Sequence, residues 1–256
     1  MPPDFVYDWS EAGMFLFVMV VTAAVSIILH LVFKLPAMMR ASDSIADLSP
    51  VLQALCGTLF VLSVTFLANS VWHTEDRARE TVNEEARSIQ VMKTYMESMT
   101  GPSREGFGKL VRSYGEAVAV EWPQMAANGR HPDAEKQLAD IYRATLQGFS
   151  EGEMNRVLQQ RILAALDSLS RARQQRLSMS QDVVSGGQWF TVLSLALLLI
   201  VVIATCHGRF SRARAVALAA VTFAISISLF VILAHDRPFI GRLAVTPAPI
   251  TQAAGL

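Results

Sequence analysis

The stretch VLQALCGTLFVLSVTFLANSVWHTEDRARETVNEEARSIQVMKTYMESMT, residues 51–100, decides the fold of this chain. Its first part, Val51–Val71, is apolar and long enough to cross a bilayer, whereas the remainder is rich in charged residues. After Gly57 the stretch contains neither Pro nor Gly. Ser49 and Pro50 supply an N-cap and a Pro at the first helical position. The sequence therefore predicts one continuous helix, about 75 Å long, that runs from lipid into water.

Composition indicates an integral membrane protein. Of the 256 residues, 52% are hydrophobic and 17% are charged, and the formal net charge is zero. This neutrality argues against a nucleic-acid partner, which would require a basic face. Three more runs approach or reach the about 20 apolar residues that cross a membrane: Met14–Phe33, Trp189–Thr205 and Ala213–Ala234. We predict an all-α fold with four transmembrane helices.

Residues 73–187, between the second and third spans, are predicted to form a helical extramembrane domain. Apolar side chains recur at helical spacing in three segments: Ser103–Ala126, Asp133–Gly148 and 153–180. The predicted organisation has four parts: residues 1–72 (an N-terminal tail and spans 1 and 2), 73–187 (the helical domain), 188–235 (spans 3 and 4) and 236–256 (an extended, Pro-rich C-terminal tail).

The distribution of basic residues predicts the orientation. Four spans with a large insert after the second place both termini on the same side as the helical domain. Basic residues are concentrated in the two short loops on the other side: Lys34, Arg40, Arg209, Arg212 and Arg214. The positive-inside rule therefore places the short loops in the cytoplasm. We expect a multi-pass protein of the inner (plasma) membrane, with its helical domain and both termini extracytoplasmic.

Two faces of the long helix differ in chemistry. Polar residues recur at steps of three, four and seven, which puts them on one face: Thr58, Thr65, Asn69, His73, Asp76, Glu80, and Asn83 or Glu84. We call this face the polar stripe; Leu62 interrupts it. Another face carries an apolar seam typical of coiled-coil packing: Val64, Ala68, Val71, Ala78, Val82, Ile89, Met92, Met96 and Met99. Polar groups within a bilayer are costly and usually face a bundle interior or a water-filled cavity.

Two explanations of the polar stripe are open. In the first, copies of the chain assemble so that their second spans ring a pore. The pore-lining residues would be Thr58, Leu62, Thr65, Asn69 and His73. Acidic rings that favour cations would stand at the pore mouth, formed by Asp76, Glu80 and Glu84. A hydrophobic gate would be formed by Leu62 together with Leu55 or Phe66. In the second explanation, the hydroxyl and amide groups hydrogen-bond between packed helices, and Asp76 and Glu80 are solvated acids that pair with Arg79 and Arg87.

The sequence offers no specific catalytic or metal-binding pattern. The 5 His residues lack metal-ligand spacing, and no Gly-rich loop follows a predicted strand. We therefore predict no enzyme, no cofactor and no metal. Glu85 falls on the apolar seam, where it either pairs with Arg112 or Arg173 or acts as a cation ligand. We interpret Asp236-Arg237-Pro238 as a local ion pair and a helix stop.

Several short segments, taken together in their order and spacing, carry a resemblance. They are Glu85-Ala86, Tyr114, Glu121-Trp122-Pro123, Arg173–Leu177 before Trp189, and Asp236-Arg237-Pro238-Phe239 with Gly241 and Pro247. Over about residues 50–249 the chain resembles the bacterial bestrophin-like domain family of four-span membrane proteins. The resemblance implies a bacterial protein related to bestrophins, which are homo-oligomeric ion channels whose second span lines the pore. Their soluble parts are cytoplasmic, contrary to the charge distribution here, and their apolar pore-neck signature is not evident.

We therefore predict a homo-oligomeric channel for passive ion conduction, in which the second transmembrane helix lines an axial pore. Its partners would be the lipid bilayer, other copies of the chain and inorganic ions, with monovalent cations favoured over anions. The alternative is a membrane sensor or assembly partner whose helical extracytoplasmic domain binds a ligand or a protein.

Overall fold

The structure is a computed structural model that describes residues 6–7, 9–35, 38, 49–99, 102–127, 132–150, 155–180, 184–206, 211–241 and 244–256. All regular structure within these residues is helical, as the sequence predicts. The helices, in chain order, are α1 (Glu11–Val32), α2 (Ser49–Met96), α3 (Pro102–Glu121), a 3-10 helix (Trp122–Ala127), α4 (Pro132–Ser150), α5 (Arg156–Ser178), α6 (Gly186–Cys206), α7 (Ser211–His235) and α8 (Ala248–Ala254). The chain forms two compact units, divided within α2 between His73 and Thr74.

The first unit contains the helices that can cross a membrane. By length and composition these are 4 in number among the described residues: α1, α2, α6 and α7. Two polar pairs join α1 to α7, because the Thr22 and Ser226 hydroxyls lie 2.6 Å apart and those of Ser26 and Thr222 lie 2.5 Å apart. In lipid, where apolar side chains gain nothing by leaving the solvent, such hydrogen bonds and close packing hold helices together.

The second unit is built on the apolar seam of α2. Every seam residue from Ala78 onwards is buried there, including Val82, Ile89 and Met92. The helices α3, α4 and α5 contribute the opposing side chains, among them Val118, Ile141 and Leu166. The helix α5 begins where the Asn155 side chain accepts a hydrogen bond from the backbone N–H of Leu158 at 2.8 Å. The coiled-coil-like spacing therefore does describe a packed face, although its partners are helices of the same chain.

The C-terminal segment is helical where the sequence predicts an extended tail. The helix α8 begins with Pro in its first turn, where a missing N–H costs nothing, and ends at Gly255, whose φ is 88°. The Lys93 ammonium donates to the carbonyl of Ala253 at 2.9 Å, which caps the helix C-terminus. A Cβ at Gly115 on α3 would collide with the Cβ of Ala254. Glycine at this position therefore allows the two helices to approach closely.

Replacing Gly115 by Ala is expected to destabilise the protein by about 1–3 kcal/mol, because the added methyl overpacks the contact with α8. The matched control is Gly106→Ala on the same helix, where an added Cβ has no neighbour within 4 Å. That control should stabilise the protein by about 0.5–1 kcal/mol, since it removes only the entropic cost of a helical glycine. Thermal unfolding of both variants measures the difference. Equal effects of the two substitutions would contradict the docking of α8 on α3.

Candidate functional site

The polar stripe is exposed along its whole length on the single chain. The following polar side chains are all exposed to solvent in the single chain: Thr58, Thr65, Asn69, His73, Asp76, Glu80 and Glu84. By contrast, Leu67, Ala68 and Val71 on the other side of the same span are buried. The described part of one chain thus covers one face of α2 and leaves the face that carries the polar groups open.

Large apolar side chains interrupt the stripe in its membrane-crossing part. The three residues predicted to form a gate are exposed by 55% (Leu55), 49% (Leu62) and 67% (Phe66). An exposed apolar side chain at membrane depth can meet lipid, or it can form a constriction that excludes water when several copies surround an axis. One chain brings these residues onto one helix but not into a ring.

The hydroxyl groups of the stripe bond to their own helix. Thr58 donates to the carbonyl of Ala54 and Thr65 to that of Val61, each at 2.8 Å. Both threonines are therefore satisfied without a neighbouring helix. This differs from the second explanation of the stripe, in which such groups bond between packed helices.

The ion pairs along the exposed end of α2 also differ from that explanation. Arg79 pairs with Glu75, and Arg87 pairs with Glu84 at 3.6 Å. The predicted partners of these two arginines were Asp76 and Glu80. Both arginines are solvent-exposed, whereas Glu75 is half-buried, and pairs at the surface of this kind contribute little to stability. Glu84 consequently carries a neighbouring positive charge, whereas the predicted pairs of Asp76 and Glu80 with these arginines do not form.

Glu85 is fully buried and bonded to Arg176. The Arg176 guanidinium donates from Nε to Oε2 at 2.8 Å and from Nη2 to Oε1 at 3.1 Å, a bidentate pair that joins α2 to α5. The Tyr114 hydroxyl donates to the same Oε1 at 2.6 Å. The predicted pairing of Glu85 with Arg112 or Arg173 is therefore wrong. Arg112 bonds instead to Glu116, and Arg173 bonds to Glu121. Since donors engage both carboxylate oxygens, nothing here favours Glu85 as a cation ligand, and no group of three metal-ligating side chains occurs among the described residues.

A second acid and a second base complete this buried charge network. Arg173 donates to Glu121 at 2.6 Å, and Arg176 reaches the other oxygen of Glu121 at 3.1 Å. Two carboxylates and two guanidiniums thus alternate, with no net charge. The Arg176 guanidinium also lies 4.9 Å from the ring centroid of Trp122. Buried charges are tolerated because each one is paired and hydrogen-bonded.

The surroundings of Arg176 and Tyr114 determine the ionisation states of these two side chains. Burial alone would lower the pKa of Arg176, but the adjacent Glu85 carboxylate raises it above its ordinary value. Burial, followed by the charge of Glu85, raises the pKa of Tyr114 well above its ordinary value. At physiological pH the arginine therefore stays charged and the tyrosine stays a hydrogen-bond donor. This arrangement suits a structural joint between helices better than a titrating site.

Asp236 has a role that the sequence analysis missed. Its buried carboxylate accepts hydrogen bonds from the backbone N–H of Val184 at 2.7 Å, the Tyr7 hydroxyl at 3.1 Å and the Trp189 indole at 3.3 Å. The helix α7 does end at His235, as the predicted helix stop requires. The carboxylate therefore joins two distant parts of the sequence within the first unit, Tyr7 near the N-terminus and the short segment that holds Val184 and Trp189. The only sequence signal was its place in the Asp-Arg-Pro-Phe segment.

The comparison with known families decides the relationship. The model of the Bestrophin-like domain family matches residues 19–250. The chain belongs to this family. No curated protein matches it.

Solved structures share the fold of this bestrophin-like chain. A variant of a bacterial bestrophin homologue from Klebsiella pneumoniae aligns with a TM-score of 0.72 at 9% sequence identity, covering 94% of this chain and 97% of that one. Another variant of the homologue from the same organism gives 0.69 at 11% identity, covering 94% and 96%. A structure described as a membrane protein gives 0.71 at 9% identity, covering 94% and 99%. At such low identity the likeness establishes the fold alone.

The residues that carry the bestrophin-like resemblance lie mainly in the buried contacts. Glu85, Tyr114 and Glu121 belong to the charge network. The Trp122 indole donates to the carbonyl of Val245 at 3.2 Å, and its ring meets that of Phe239 edge-on at 5.5 Å. These segments therefore maintain the helical packing, whereas the polar stripe is a separate feature of α2.

Proposed function

We propose that this bestrophin-like protein is a homo-oligomeric ion channel whose axial pore is lined by α2. The observation that carries the proposal is the exposure of every polar group of the stripe, whereas Leu67, Ala68 and Val71 on the other side of the same span are buried. A polar face on a spanning helix is costly in lipid and becomes favourable where it borders water. Membership of the bestrophin-like family supports a channel over a sensor.

The pore requires several copies of the chain. In one copy the stripe lies on a single helix, and only a symmetric ring of such helices would surround an aqueous path. The partners are therefore other copies of the chain, the surrounding lipid and the permeating ions. Along the ring, Thr65, Asn69 and His73 would contact water and ions, and Leu62, with Leu55 or Phe66, would form the dry constriction.

Cation preference would arise from the acids that follow the span. Asp76 and Glu80 are exposed and lie one turn apart on the stripe, so each forms a ring of carboxylates in the oligomer. Glu84 contributes less because Arg87 lies 3.6 Å from it. Rings of acidic side chains raise the local cation concentration and repel anions.

Currents across planar bilayers under a KCl gradient test conduction and selectivity together. We expect the wild-type oligomer to pass current. Its reversal potential should be shifted from zero toward the equilibrium potential of potassium. Asp76→Asn combined with Glu80→Gln should move that potential toward zero, whereas Glu135→Gln, an exposed acid on α4, should leave it unchanged. A folded oligomer that passes no current would contradict the channel. Reversal near the chloride potential would contradict the cation preference.

We also propose that the short loops lie in the cytoplasm and the helical domain lies outside the inner membrane, as the positive-inside rule predicts. A thiol introduced by Lys136→Cys on α4 should react with an impermeant reagent on spheroplasts. Reaction only after lysis would reverse the orientation and leave the channel proposal standing.

A further inference from the structure

An apolar groove of about 410 Å³ runs between α1 and α7 in the first unit. It exists because both helices carry small side chains where they face each other: Ala23 on α1, and Ala215 and Ala219 on α7. Its floor includes Ser26 and Thr222, whose hydroxyls lie 2.5 Å apart and hydrogen-bond to each other. These hydroxyls therefore offer little hydrogen bonding to a molecule bound in the groove. The groove is therefore open, apolar and not filled by the described part of the chain.

The dimensions of the groove correspond to one leaflet of a bilayer. On α1 its lining extends from Met19 to His30, which is about 16 Å of helix. The hydrocarbon core of a membrane is about 30 Å thick, so one leaflet is roughly half of that. Both helices are predicted to span the membrane, and the exposed rims of the groove include Ile27 and Phe223. A groove of this length in such helices has the size of one acyl chain rather than of a small polar solute.

One end of the groove is basic. His30 lines that end on α1, and Lys34 follows it by four residues. On α7, Arg212 precedes the lining residue Ala215 by three residues and therefore lies on the same helix face. The buried Arg214 donates to the carbonyl of Phe33 at 3.2 Å and to Nδ1 of His30 at 3.4 Å, which fixes the ends of the two helices together. Among the described residues, those that line the groove include no Asp or Glu.

We propose that this groove binds an anionic phospholipid from the leaflet that borders the short loops. One acyl chain occupies the groove, and the phosphate lies at the end marked by Lys34 and Arg212. Apolar burial along the chain supplies most of the binding, and basic residues at the membrane surface add attraction for a negative headgroup. The site is separate from the polar stripe, so it stands or falls independently of ion conduction.

Lipid titration of the purified oligomer in detergent, followed by native mass spectrometry, tests the proposal. The probes are phosphatidylglycerol and phosphatidylcholine with identical acyl chains. We expect the anionic lipid to bind at least tenfold more tightly. Lys34→Gln and Arg212→Gln are both at exposed positions. Each should weaken the binding of phosphatidylglycerol by about fivefold and leave the binding of phosphatidylcholine unchanged. Equal affinity for the two lipids, or displacement of the lipid by millimolar inorganic phosphate, would overturn the proposal.

A matched pair of substitutions tests the place of binding. Ala219→Trp fills the groove and should abolish binding of both lipids, whereas Ala220→Trp places the same side chain at an exposed neighbouring position that does not line the groove. If both variants bind lipid equally well, the site lies elsewhere and the proposal fails. It also fails if Ala219→Trp dissociates the oligomer while the lipid stays bound, because the groove would then be an interface between copies.

Discussion

Replacing Arg176 by Met is expected to destabilise the protein by about 3–5 kcal/mol. The substitution leaves Glu85 and Glu121 buried with Arg173 as the one remaining arginine of the described network, and it removes the donors that hold α5 against α2. An uncompensated buried charge costs far more than the lost packing of a similarly long side chain. The expected shift of the melting temperature is roughly 10 °C downward for a chain of this length.

The control for this prediction lies on the same helix. Arg171 is exposed and donates to the Ser168 hydroxyl at 3.1 Å, so Arg171→Met should change stability by less than about 0.5 kcal/mol. Differential scanning fluorimetry of both variants in the same detergent measures the contrast. Similar melting temperatures for Arg176→Met and the wild type would contradict the role of the charge network.

Replacing Leu62 by Ala is expected to raise the single-channel conductance about tenfold or more. Each CH₂ group in a dewetted constriction contributes about 0.8 kcal/mol of hydrophobic cost, and the change removes such groups from every copy in the ring. A barrier lowered by about 1.4 kcal/mol is enough for a tenfold higher rate. Asn69→Leu should act in the opposite direction, since it adds a second apolar ring to the path.

The control for conduction is Val64→Ala. Val64 is half-buried on the apolar seam of the same helix and lies about 200° around the axis from Leu62, away from the polar stripe. It should leave the conductance unchanged. A change of equal size at both positions would indicate that shortening any side chain here loosens the protein, and would contradict a gate at Leu62.

The long helix and the spans could be predicted because their signals are local. An apolar run of spanning length needs no information from elsewhere in the chain, and the absence of Pro and Gly after Gly57 permits α2 to continue to Met96. The observed helix ends differ by a few residues from the ends of the apolar runs where a polar capping residue extends the helix. For example, α1 begins at Glu11 because the Ser10 side chain accepts a hydrogen bond from the N–H of Gly13.

The partners across helices could not be predicted, because they depend on packing rather than on spacing. Glu85 was identified from its unexpected place on the apolar seam, but the sequence could not distinguish Arg173 from Arg176 three residues later on the same helix. The hydroxyl pair of Ser26 and Thr222 lies within apolar runs and leaves no pattern. The C-terminal helix was missed because its prolines suggested extended chain, although Pro in a first helical turn is favourable.

Thiol modification of the conducting oligomer tests most directly whether α2 lines the pore. In a background in which Cys56 and Cys206 are replaced by Ala, Asn69→Cys and Val64→Cys are each exposed to an impermeant cationic thiol reagent while current is recorded. Val64 lies on the apolar seam, away from the polar stripe. We expect the reagent to block most of the current in Asn69→Cys and to leave Val64→Cys conducting. Unaltered current in Asn69→Cys after complete modification, or block at Val64→Cys instead, would contradict a pore lined by α2.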